Sequence, residues 1–138
     1  MKTAKLPAFV LLFISTLLLI HCTPSRQDYA TTAKEIISQG KWSVDYYFAG
    51  QNKTSAYTNY QFTFNSNGGV NCTAGTTVST GTWSMITDVD YNDVMIINMN
   101  TQEPVLLQLS QKWNVTDKSL SAIGMKDISN VELRLRRL

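Results

Sequence analysis

The chain is predicted to be all-β, an up-and-down antiparallel barrel of roughly eight strands preceded by a short N-terminal helix. Three observations carry this. From Gly40 onward apolar residues recur at every second position, the period of a half-buried strand. Clusters of Asn, Asp, Gly, Ser and Thr divide these runs at mostly hairpin-length intervals. No helical segment separates any two of them, which excludes parallel crossovers, since these need a connection of a dozen or more residues, usually a helix.

Residues 1–21 read as a leader. Lys2 and Lys5 precede Pro7 to Ile20, which carries no charge, and at fourteen residues that run is shorter than the roughly 20 a spanning helix needs. No small-x-small site closes it; Leu19-Ile20-His21 leads straight to Cys22. Three fates stay open: lipidation at Cys22, a plain cut, or an uncut signal anchor.

Residues 22–39 are a tether and the one helical candidate. Thr23 to Asp28 is polar and holds Pro24, and Tyr29 to Gln39 sets Ala33, Ile36 and Ile37 on one face with Gly40 as a stop.

Residues 40–138 form the barrel. Trp42, Val44, Tyr46 and Phe48 alternate with polar neighbours; after a loop, so do Tyr60, Phe62 and Phe64. Asn67-Gly68 is a hairpin signal, because both residues tolerate positive φ, and Val70, Cys72 and Ala74 return from it. Gly81, Trp83 and Met85 share a face of the next run. "TDVDYND" turns the chain into "VMIINM", which is apolar on both faces. Val105 to Val115 reads as the longest strand, with Leu107, Leu109, Gln111 and Trp113 on one face; Asp117-Lys118 turns it into Leu120 to Lys126. "NVELRLRRL" ends the series, Val131, Leu133 and Leu135 alternating with Glu132, Arg134 and Arg136. A membrane-spanning barrel would face lipid with apolar side chains, whereas the outward sets here are Lys41, Ser43 and Asp45, then Gln61 and Thr63, then Glu132, Arg134 and Arg136.

Loss of the leader leaves 117 residues, room for one domain. Lys2 and Lys5 go with it, so ten basic residues face ten acidic ones and no nucleic-acid partner is expected. The sole histidine, His21, leaves too, which removes imidazole bases, Ser-His and Cys-His nucleophiles and histidine-based metal sites. Asp88, Asp90 and Asn92 copy the opening of a calcium loop, but Asp93 stands where that loop needs glycine and Met99 where it needs glutamate. No catalytic residue, cofactor or metal is assigned. Cys72 pairs with Cys22 in a disulfide or, with Cys22 lipidated, is a small buried hydrophobe.

Leu19-Ile20-His21-Cys22 resembles a bacterial lipobox, which implies an acyl-bearing Cys22 as the membrane partner. Gly40-Lys41-Trp42 after a short helix, with a basic residue in the last strand, resembles the lipocalin or calycin superfamily. "FTFNSNG", "GTWSM" and "LSQKWNV" bring the likeness closer to lipocalin-like lipoproteins of Gram-negative bacteria. The resemblance implies that Trp42 plugs one barrel end under Arg134 or Arg136, and that the protein is lipid-anchored in the cell envelope, at the outer membrane. Some calycin-like barrels inhibit proteases, which the likeness carries as a lesser role.

An eight-stranded barrel is just wide enough to fill with side chains or to hold one small ligand. The leading expectation is a non-catalytic interaction or structural module with a protein partner. The alternative is a carrier of an apolar or amphipathic molecule, lined by Trp42, Tyr46, Tyr60, Phe62, Trp83, Met85 and Trp113.

Overall fold

Turn chemistry and alternation close the chain on itself. The computed structural model describes residues 31–138, and Thr31–Leu138 forms one unit with its own core. Its elements are α1 (Ala33–Ile37), β1 (Trp42–Phe48), β2 (Gln61–Phe64), β3 (Gly69–Ala74), β4 (Thr77–Thr87), β5 (Asp93–Asn100), α2 (Pro104–Leu107), β6 (Lys112–Lys118), β7 (Ala122–Lys126) and β8 (Glu132–Arg137), with a 3-10 turn at Thr54–Tyr57. The eight strands pair antiparallel in chain order, and β1 meets β8 to complete a closed barrel. Closure leaves no free sheet edge.

The helix α1 is shorter than the expected Tyr29–Gln39, within the described residues. Thr32 starts it by accepting the Glu35 N–H on its hydroxyl, while the Glu35 carboxylate accepts the Thr32 N–H, a capping box. Gly40, at φ 82°, turns the chain from this helix into β1. Ala33, Ile36 and Ile37 are buried, as the helical period implied.

Between β2 and β3 only Gly68 takes positive φ, at 90°; Asn67 instead accepts the Gly69 N–H on its side-chain oxygen, at 3.0 Å. On β5, Met95, Ile97 and Met99 point inward, and Val94 is buried on the outward side.

Two strand expectations change. Val105 to Val115 is not one strand: Pro104, with φ preset, begins α2, and helical spacing buries Leu106 and Leu109 in place of the alternating set. The strand β6 starts only at Lys112 and runs through Asp117-Lys118, so the turn falls at residues 119–121. In β1 the register shifts between Val44 and Tyr46, leaving Asp45 unpaired. One extra residue reverses which face the following side chains take. Tyr47 therefore enters the core, and Tyr46 and Phe48 stack on the outside with ring centroids 6.3 Å apart.

Candidate functional site

The barrel interior is the candidate site, and its residues form one continuous buried cluster. Inward faces of β1 to β3 supply Trp42, Val44, Tyr47, Phe62, Phe64, Val70 and Cys72; β4 to β8 supply Trp83, Met95, Ile97, Trp113, Ile123, Met125, Leu133 and Leu135. The large rings lock one another: Phe62 stacks on Phe64 at 6.3 Å, and Phe64 meets Trp83 edge-on at 5.7 Å.

Each indole N–H finds a backbone carbonyl. Trp42 donates to Ile37 at 2.9 Å, Trp83 to Asn65 at 2.9 Å and Trp113 to Leu109 at 3.0 Å. These bonds run from core strands to the segments that cover the barrel ends. At one end Ile36 and Ile37 of α1 sit on Trp42. At the other, Leu106 and Leu109 enter from the β5–β6 connection, and the Tyr57 hydroxyl ties the 3-10 turn to the Val105 carbonyl at 3.0 Å. Both mouths are thus filled by side chains.

The residues proposed to line a cavity divide accordingly. Trp42, Phe62, Trp83 and Trp113 are core members. Tyr46 is not, because of the β1 bulge. Tyr60 is half-buried beside Tyr57; its phenol donates to the Glu103 carboxylate and is pushed up to about 12, chiefly by that bond. Met85 is half-buried and borders an outward recess with Lys34 and Asn67. Cys22 lies outside the described residues.

The cation over Trp42 is Arg137, and neither Arg134 nor Arg136. Arg137 lies opposite Trp42 in the β1–β8 register, its guanidinium carbon stands 5.2 Å from the indole centroid, and it donates to the Ile36 carbonyl at 2.9 Å. Arg134 and Arg136 point outward to Asp117 at 3.7 Å and Asp45 at 3.1 Å. Alternation held this answer, since Leu133, Leu135 and Arg137 share a parity. Tyr47, Tyr57, Leu106, Ile123 and Met125 are core residues that sequence reasoning did not single out; for Leu106 the signal was Pro104.

Cys72 is buried with a free thiol. Burial foremost, with a lesser push from Glu103, raises that thiol to about 12. The reactive species is the thiolate, so Cys72 is expected to resist maleimide at pH 7 to 8 in the folded protein and to react once denaturant exposes it. Fast labelling of the native chain would contradict its burial.

Asp88 serves its own turn, holding the N–H groups of Asp90 and Asn92 at 2.9 and 2.8 Å. The Asn92 backbone bond leads in keeping the Asp88 carboxyl below its ordinary range. Among the described residues, no group of three or more His, Cys, Asp or Glu side chains is arranged to hold a metal. A recess of about 470 Å³ on the described surface runs along Ile86, Val94, Lys112 and Ile128 and opens outward.

No protein-family model and no curated protein matches the chain. Among solved structures, it is similar to a DUF4847 family protein from Bacteroides vulgatus ATCC 8482, with 13% identity and a TM-score of 0.59 over 78% of this chain and 98% of that one. At that identity the likeness is one of fold, which for this chain is a closed eight-stranded antiparallel barrel with a structural neighbour in the DUF4847 family.

Proposed function

We propose that this chain is a lipocalin-like lipoprotein of the bacterial cell envelope, anchored through acylated Cys22, whose barrel acts without catalysis as an interaction or structural module. The observation that carries the module reading is the double closure of the barrel, by α1 and Trp42 at one end and by Tyr57, Leu106 and Leu109 at the other. A carrier needs a concave site, commonly of about 300–1,000 Å³, that encloses most of its ligand. Of the aromatic residues that would line such a site, Phe62 and Trp83 pack on Phe64, while Trp42, under Arg137, and Trp113 are wholly buried.

The anchor reading is supported by the short uncharged run ending at Cys22, and by the burial of Cys72, which needs no disulfide partner. One acyl chain holds marginally and two or more hold stably, so a fully processed lipoprotein stays on the membrane.

Two measurements test this. In a bacterial host, Cys22→Ala is expected to abolish palmitate labelling and to move the chain from the membrane to the soluble fraction; persistence in membranes refutes the anchor. Native mass spectrometry of the protein extracted from its own membranes is expected to show the acylated chain alone. A further non-covalent mass of a small molecule would overturn the module reading in favour of a carrier.

A further inference from the structure

Which way the barrel faces follows from its turns. Of its two rims, one carries the β2–β3, β4–β5 and β6–β7 turns together with α1, where the described chain begins. On this rim Val89 is 92% exposed, Tyr91 89% and Leu120 65%. The β4–β5 turn is built rather than slack: the Asp88 carboxylate holds it from within, and Tyr91 sits at φ 63°, a conformation uncommon for a bulky residue. The same turn lies against β6, where Lys118 bridges to Asp93 at 3.1 Å and Tyr91 shares a surface recess with Thr116, Asp117 and Lys118; the β6–β7 turn bearing Leu120 begins directly after Lys118.

A cluster of valine, tyrosine and leucine held out on turn tips gains nothing from water. Tyrosine, with an apolar body and a polar tip, suits the boundary between lipid headgroups and acyl chains. Chain length supplies the occupant. Cys22 precedes Thr32 by ten residues, which reach at most about 35 Å fully extended, and Thr32 caps the helix seated on this same rim. The anchored segment joins the barrel on this rim, which favours it as the side nearer to the membrane.

We propose that the rim bearing the β4–β5 and β6–β7 turns rests on a lipid bilayer, with Val89, Tyr91 and Leu120 entering its interfacial layer. The inference rests on the Cys22 anchor reading. Asp88 and Asp90 share this rim with Lys34, Lys41 and Lys118, so neither sign of headgroup is selected and a zwitterionic surface fits.

The test uses indoles as depth reporters, since Trp42, Trp83 and Trp113 are at most 4% exposed and contribute a shielded background. Tyr91→Trp is compared with Ile128→Trp; Ile128 is 96% exposed on the β7–β8 turn of the opposite rim. Each variant, as residues 22–138 with the closed barrel intact, is coupled at Cys22 to a maleimide lipid in phosphatidylcholine vesicles containing brominated acyl chains. Cys72, buried and weakly acidic, stays unlabelled.

Bromolipid is expected to quench most of the added fluorescence of Tyr91→Trp and little of that of Ile128→Trp. Adding Val89→Ser and Leu120→Ser to Tyr91→Trp is expected to reduce the quenching at least severalfold. Quenching at Ile128→Trp alone, at both sites equally or at neither overturns the orientation. Because the chemical tether replaces cellular acylation, these outcomes are independent of the Cys22→Ala result, which judges the anchor itself.

Discussion

Replacing Trp42 with alanine is expected to destabilise the barrel by about 3–5 kcal/mol, the range for emptying a buried Trp or Phe site. The indole is wholly buried, with α1 on one side and Arg137 on the other, and its N–H holds the Ile37 carbonyl. Truncation removes the ring, leaves that carbonyl without its partner and strips Arg137 of its aromatic face. Denaturant unfolding followed by circular dichroism reads the loss as a lower midpoint at an unchanged slope. An unchanged midpoint would show that the ring does not close this end of the barrel.

The same measurement separates the Arg137 contribution. Arg137→Ala alone should cost less, because that side chain is only half-buried, and the cycle with Trp42→Ala should return a coupling of about 1 kcal/mol for the cation above the ring. Arg134→Ala, lying outside, should show no coupling to Trp42.

Gly81→Ala is the second large effect expected. A Cβ at Gly81 would lie 2.3 Å from the Asn98 carbonyl oxygen and 2.9 Å from the Met99 Cα, both backbone atoms of the paired strand. Nothing there can rotate aside, so β4 and β5 must part locally, at a cost of about 1–3 kcal/mol or more. Gly124 provides the contrast. A Cβ there meets the Asp117 carboxylate at 2.1 Å, but this is the tip of a side chain about half exposed, which can swing away and give up Arg134. Gly124→Ala should therefore lower the unfolding midpoint less than Gly81→Ala, and the reverse order would mean that β4 and β5 are not paired in this register.

The fold was legible because alternation and turn chemistry are local signals. Phe62 and Phe64, Val70 and Cys72, Trp83, and Leu133 and Leu135 all take the face that period two assigns them. Tyr46 broke the rule because a bulge is a property of two strands, and nothing in "WSVDYYF" alone states that β8 offers one residue fewer. For Val105 to Val115 the alternation was coincidental: Pro104 is preset for a first helical turn, and that turn buries Leu106 and Leu109 together at the barrel end.

Of the candidate site, the sequence supplied the aromatic residues but not their arrangement. By itself it determined the strand count, the antiparallel order and the absence of histidine beyond residue 21, since each depends on residue type and spacing along the chain. Only the tertiary structure decided that Arg137 covers Trp42, that Tyr47 replaces Tyr46 in the core and that both mouths are filled. Those outcomes depend on register across β1 and β8 and on which segments reach the ends of a closed sheet, distances set when remote parts of the chain meet.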